Sequence, residues 1–301
     1  MWWSISEKDH NGATEMKKHF LRLRKWAASR IENRKIIDYT GCFKSNPITC
    51  YYAAKGNPFL AELPLKRCRH LKYLGFECTP ESKSPFVQTL REYAEGHHTR
   101  YTGSVLQNYY ESFKPQNVAE IMGLNPEECS PVLINNPAMS EIAVWNSGNH
   151  QAELKRRKRQ IEQDNLLHGY HYKSDDGDPF YGPVSERKGT LEFTRLIKTY
   201  NSIKEKGYSV SDVNSIKGII LKAGGEWRCQ ILVGQHRIAA LAALGYENVP
   251  ILIGNQGIIH REDVEMWPLV QENIITTKQA LTVFDRIFEG HPPEMALKHL
   301  G

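Results

Sequence analysis

A strand-like run that stops at a glycine and passes straight into an alanine-rich helix leaves few folds open to a chain. Here Trp227 to Val233 ends at Gly234, and Gln235 to Leu244, carrying Ala239, Ala240, Ala242 and Ala243, is a predicted helix stopped by Gly245. A short β-branched strand, Val249 to Ile253, follows at once. Upstream, Ile216 to Lys222 reads as a strand joined to Trp227–Val233 by the turn Ala223-Gly224-Gly225-Glu226. Before that pair, Phe193, Leu196, Ile197, Tyr200 and Ile203 keep a 3.6-residue period, which predicts a helix over Glu192 to Lys206 ended by Gly207. The order helix, hairpin, helix, strand makes Gly182 to Ile253 a small α/β module.

The strand-to-helix glycine has a chemical consequence. It lets the backbone approach a ligand, and the first N–H groups of the helix have no internal partner, so the turn is suited to an anion. His236 and Arg237 fall in that first turn and add side-chain donors, Arg237 with a planar fork that matches phosphate oxygens. Upstream, Gly182 to Gly189 followed by Glu192 and Arg195 groups carboxylates with cations. Phosphoryl transfer uses both, to neutralise phosphates and to accept the proton of a hydroxyl. Glu186 or Glu192 is then the candidate base, with Lys188 and Arg195 as phosphate partners.

The run Val233-Gly234-Gln235-His236-Arg237-Ile238-Ala239-Ala240-Leu241, with Ala243-Leu244-Gly245 and Val249-Pro250-Ile251 after it, resembles the signature of the ParB/sulfiredoxin superfamily. Leu196 and Ser202 to Tyr208 are similar to that family's helix before the first glycine turn, and the resemblance covers about Tyr181 to Ile253. It implies a nucleoside triphosphate, ATP or another, held with magnesium at Gly234, Gln235, His236 and Arg237, His236 donating to phosphate within the catalytic set. The branches of the family differ in chemistry. Sulfiredoxin places a cysteine between the glycine and the histidine, where this chain has Gln235, so the attacking thiolate is missing. Partition-type ParB proteins continue into a helix-turn-helix region. After Ile253 this chain has one predicted helix, Thr277 to Glu289, between Trp267-Pro268 and His291-Pro292-Pro293. The kinase-like branch fits the Gly-x-His-Arg form. The expectation is therefore an ATP-dependent phosphotransferase acting on a small hydroxyl compound, a sugar or amino acid of surface-polysaccharide metabolism. The alternative is a nucleotide-switched ParB-like module that binds DNA or protein without transfer.

The rest of the chain sets the frame. The expected class is α+β, with a mixed, mainly helical N-terminal region over 1–150, the nucleotide-binding module within 151–260, and a helical extension over 261–301. Residues 15 to 32 form a basic amphipathic helix that could touch an anionic membrane surface. Ile48 to Ala53 and Phe59 to Leu63 read as strands around the Gly56-Asn57 turn, and helices are predicted near Pro85–Ala94, Ser104–Ser112 and Asn117–Met122. Lys155 to Arg159 reads as a solvated helix face, and a net charge of +5 from 39 basic and 34 acidic residues leaves no general nucleic-acid footprint. Six cysteines without a CxxC pair read as reduced thiols, and no metal site is expected from side chains alone. No apolar run is long enough to span a bilayer and no secretory signal opens the chain, so the expected location is cytoplasmic. A homo-oligomer is left open.

Overall fold

The computed structural model describes residues 36–171, 176–210 and 215–300, so the amphipathic segment 15 to 32 lies outside the described residues. The class is α+β. Seven strands, β1 (Ile37–Asp38), β2 (Phe59–Pro64), β3 (Cys68–His70), β4 (Phe76–Glu77), β5 (Ile216–Ala223), β6 (Glu226–Val233) and β7 (Asn248–His260), form one mixed sheet. Its spatial order is β1-β2-β7-β5-β6-β3-β4. The hairpin β5–β6 is antiparallel and closes through Gly224-Gly225, while β7 runs parallel to β5 on its other side. β5 is therefore central, and Ile219, Ile220 and Leu221 are all buried because both faces of the sheet are covered.

The N-terminal strands are part of that sheet. β2 pairs antiparallel with β7 from Phe59↔Ile253 to Pro64↔Asn248, and β3 pairs parallel with β6 through Cys68↔Cys229. The boundary expected near residue 150 is thus no boundary in the sheet: the three C-terminal strands β7-β5-β6 are flanked on one side by β2 and on the other by β3, both from the first third of the chain. A paired edge is the physical reason, since β6 and β7 alone would each present open backbone groups.

Local chemistry explains two further differences from expectation. Ile48 to Ala53 is not a strand but lies within α1 (Pro47–Ala54). Asn46 Oδ1 accepts from the N–H groups of Ile48 and Thr49 at 3.0 and 3.4 Å, and Pro47 sits at the first helical position, two helix-start signals that outweigh the β-forming side chains. The helix expected from Glu192 begins at Glu186. Helices α2 (Pro85–Ala94), α3 (Val105–Ser112), α4 (Val118–Ile121), α5 (Pro131–Asn135) and α6 (His150–Leu167) precede it, and α7 spans Glu186–Lys206. Ser185 caps α7 by accepting from the Lys188 N–H at 3.2 Å. The first two turns lie before the apolar period starts, which is why periodicity missed them. Gly189 fits within α7 because a Cβ there would stand 2.1 Å from the ring of buried Tyr101.

The basic run 155–159 lies on α6. Lys155, Arg156, Lys158 and Arg159 are exposed, as a solvated face should be, but Arg157 turns inward and forks onto Asp178 at 2.8 and 3.0 Å. After β6 come α8 (Gln235–Ala243), β7, α9 (Pro268–Gln271) and α10 (Thr277–Glu289). A Thr276/Gln279 capping box opens α10, Gly290 ends it, and Val283, Phe284 and Ile287 pack its inner face. Among the described residues no helix is long and apolar enough to cross a membrane.

Candidate anion-binding site

Gly234 joins β6 to α8 in a left-handed conformation, φ 96° and ψ 31°, and has no side chain with which to cap the helix. The first N–H groups of α8 are therefore left for a ligand or for water. Arg237 folds back over this turn: its Nη2 lies 3.2 Å from where a Cβ on Gly234 would sit, and Ile216 Cγ1 lies 3.0 Å from the same point. Arg237 Nη1 is buried and has no hydrogen-bond partner. Burial depresses the guanidinium pKa, and the phenol of Tyr208 opposes that only in part. A buried donor of a charged group without an acceptor is costly, and an anion at the turn would satisfy it.

Behind the turn lies a buried ion cluster. Glu192, fully buried on α7, receives Lys188 Nζ at 2.6 Å and Arg195 Nη1 at 2.9 Å on Oε1, and its Oε2 stands 3.2 Å from His236 Nε2. That last approach is a close polar contact without the alignment of a full hydrogen bond, and neither atom has another hydrogen-bond partner. Lys188 Nζ also donates to Asn165 Oδ1 at 2.5 Å, and Arg195 Nη2 meets Asp164 Oδ2 at 2.7 Å. Burial alone would raise the Glu192 pKa. The His236 contact and the charges of Arg195, His236 and Lys188 outweigh it and hold the carboxyl far below the usual range. Phe86 of α2 stacks on the His236 ring with centroids 5.2 Å apart, fixing the imidazole between an aromatic face and the carboxylate.

The expected site residues thus fall into different places. Gly234, His236 and Arg237 share the turn, while Glu192, Lys188 and Arg195 stand directly behind His236. The part assigned to Lys188 and Arg195 as phosphate partners is taken up inside the protein: Lys188 is 1% exposed and held between Asn165 and Glu192, and Arg195 bridges Glu192 and Asp164. Glu192 is an equally poor proton acceptor, because the His236 contact and the cations Arg195 and Lys188 stabilise its ionised form. The side chain of Gln235 is taken up within the protein. Its Oε1 accepts from the Leu71 N–H at 2.8 Å and its Nε2 donates to the Ile231 carbonyl at 2.9 Å, so it ties the turn to the segment after β3. Glu186 is exposed at the first position of α7, about 9 Å along the helix axis from Glu192.

Three contributors were not singled out: Asn165 and Asp164 near the end of α6, and Phe86. His168 caps α6 beside the cluster, and burial with Arg195 and His236 lowers its pKa against the pull of Asp164 and Glu192. Their distance in sequence hides them; only the acidic and amide pattern Asp164-Asn165 at a helix end hinted at buried polar partners. A groove of about 410 Å³ between β4 and the end of α10 is lined by Glu77, Glu81, Glu289 and His291 and includes none of the turn residues. The orphaned Arg237 nitrogen is the better guide, because it marks an unmet chemical demand and not just space. Among the described residues no group of three or more His, Cys, Asp or Glu is placed to hold a metal ion. Comparisons with protein-family models, curated proteins and solved structures returned no match for this chain.

Proposed function

We propose that the chain binds a nucleoside triphosphate at the Gly234 turn and transfers its terminal phosphoryl group to a small hydroxyl compound. The observation that carries this reading is the buried, unpartnered Nη1 of Arg237 folded over an uncapped helix N-terminus. The arrangement fits phosphate by charge and by donor direction. His236, pinned by Glu192 and Phe86, stands in the same first turn as a second donor. ATP with magnesium supplies the transferable group when bound. In this reading Glu192 orients His236 and keeps the cations in place, and Glu186, exposed and outside the ion cluster, is the remaining candidate base. A sugar or amino acid acceptor, and a role in surface-polysaccharide metabolism, follow from the family resemblance alone.

The test is acceptor-dependent ADP release. Wild-type protein with ATP and magnesium is screened against sugars, sugar phosphates and amino acids. Release stimulated by one acceptor, and reduced roughly 100-fold or more by Glu186→Gln, is expected. ATP binding with no acceptor-stimulated release, or with clear preference for CTP, would favour the nucleotide-switched binder.

A further inference from the structure

Beside the segment after β3, a small cleft with mostly apolar walls is lined by Lys72, Tyr73, Leu74, Ile121, Glu141 and Tyr181, with Leu71 and Phe180 at its side. Its free space, about 10 Å³, admits one water-sized group. Two of its walls carry unmet hydrogen-bonding demand. Glu141 is 5% exposed and its Oε2 has no partner; Tyr181 is 6% exposed and its hydroxyl has none. Lys72 Nζ stands 3.1 Å from Glu141 Oε1, and its ammonium has further hydrogens to donate. Lys72, Tyr73 and Phe180 are half-buried.

The backbone that delivers Lys72 is unusual. Leu71 and Lys72 both adopt left-handed conformations, φ 55° and 52°. Neither is glycine, so the surroundings must hold them there. Gln235 accepts from the Leu71 N–H, and Gln230 Nε2 donates to the Lys72 carbonyl at 3.2 Å. Around the cleft the charges balance, Lys72 and Arg157 against Glu141 and Asp178. Burial lowers the Lys72 pKa first, Arg157 adds to that, and Glu141 and Asp178 oppose it.

These demands select a ligand chemistry. A group entering the cleft must donate to Glu141 Oε2 and accept from Lys72 or Tyr181. An ammonium cannot accept and would face Lys72; a carboxylate or phosphate would face Glu141. A hydroxyl donates once and accepts twice. We propose that this cleft is a subsite for one hydroxyl group of a small neutral polyol or sugar, held by Glu141, Tyr181 and Lys72. It goes beyond the nucleotide reading and stands without it, since no phosphate contact enters.

Saturation-transfer NMR on the full chain without nucleotide, with glycerol, ribitol, glucose and galactose as probes, tests it. At least one probe should bind, and Tyr181→Phe and Glu141→Gln should each weaken that probe tenfold or more. Tyr181→Phe removes only an unpartnered hydroxyl, so it should melt with the wild type; if Glu141→Gln fails to fold, Tyr181→Phe alone decides. Absence of signal from every probe on the wild type would mean that the cleft holds only water, and undiminished binding in Tyr181→Phe would place the probe elsewhere. Either result overturns the proposal.

Discussion

His70 on β3 is fully buried, both its ring nitrogens lack partners, and burial pushes its pKa down to about 3. The unfolded chain would protonate it near 6.5, so between these values the unfolded state binds more protons and stability rises with pH. The contribution is intact above about pH 6.5 and is lost progressively as pH falls toward 3, about 2 kcal/mol between pH 7 and pH 5. Urea unfolding at the two pH values should show that slope in the wild type and a slope smaller by the same amount in His70→Leu; equal slopes would refute it. Glu192 acts on a lower range. Its pKa is depressed by its cations, so its stabilisation holds above the usual carboxylate range and fades only in stronger acid. Glu192→Gln leaves Lys188 and Arg195 buried without their counter-charge and should destabilise by about 3 kcal/mol in chemical denaturation. A variant as stable as the wild type would mean that the cluster is not closed as described. At this scale the glycine turn was legible, because Gly234 interrupts an apolar strand just before an alanine-rich run. The use of Gln235 was not, since its partner Leu71 lies 164 residues away in sequence.

Among the elements, helices and strands with a clean apolar period were readable in place, α10 and the β5–β6 hairpin above all. Those defined by their ends were not. α1 is set by Asn46 and Pro47, and its Ile48, Tyr51 and Tyr52 mimic a strand when read by side-chain preference. The start of α7 is set by Ser185, and its first apolar-period residue comes two turns later. That early stretch matters, because it carries Lys188 into the ion cluster and brings Gly189 against Tyr101. In an exposed helix Gly189→Ala would gain about 1 kcal/mol in helix propensity. Here the new methyl meets a ring that is 5% exposed and cannot swing away, so overpacking of about 1–3 kcal/mol should prevail and the melting temperature should fall. A rise in melting temperature would show that Tyr101 does not close over α7.

Across the whole molecule, one sheet joins what composition and linkers divide. The boundary expected near residue 150 separates β2 and β3 from the strands they pair with. Pairing of β2 with β7 and of β3 with β6 cannot be read in sequence, because the strands of each pair lie far apart in the chain. The consequence for function is that the turn at Gly234 is anchored from several directions: by β6 behind it, by Gln235 to the segment after β3, and by His236 to α2 and α7. A site so held should be formed before any ligand arrives, and an anion that satisfies Arg237 should bind without a large ordering penalty. Isothermal titration of the wild-type chain and of Arg237→Ala with ATP and with adenosine measures this most directly. ATP should bind more tightly than adenosine, and Arg237→Ala should lose about 1.5–3 kcal/mol of ATP affinity while leaving adenosine unchanged. Equal affinities of the wild type for ATP and adenosine, or an Arg237→Ala variant that binds ATP as well as the wild type, would contradict a phosphate site at the Gly234 turn.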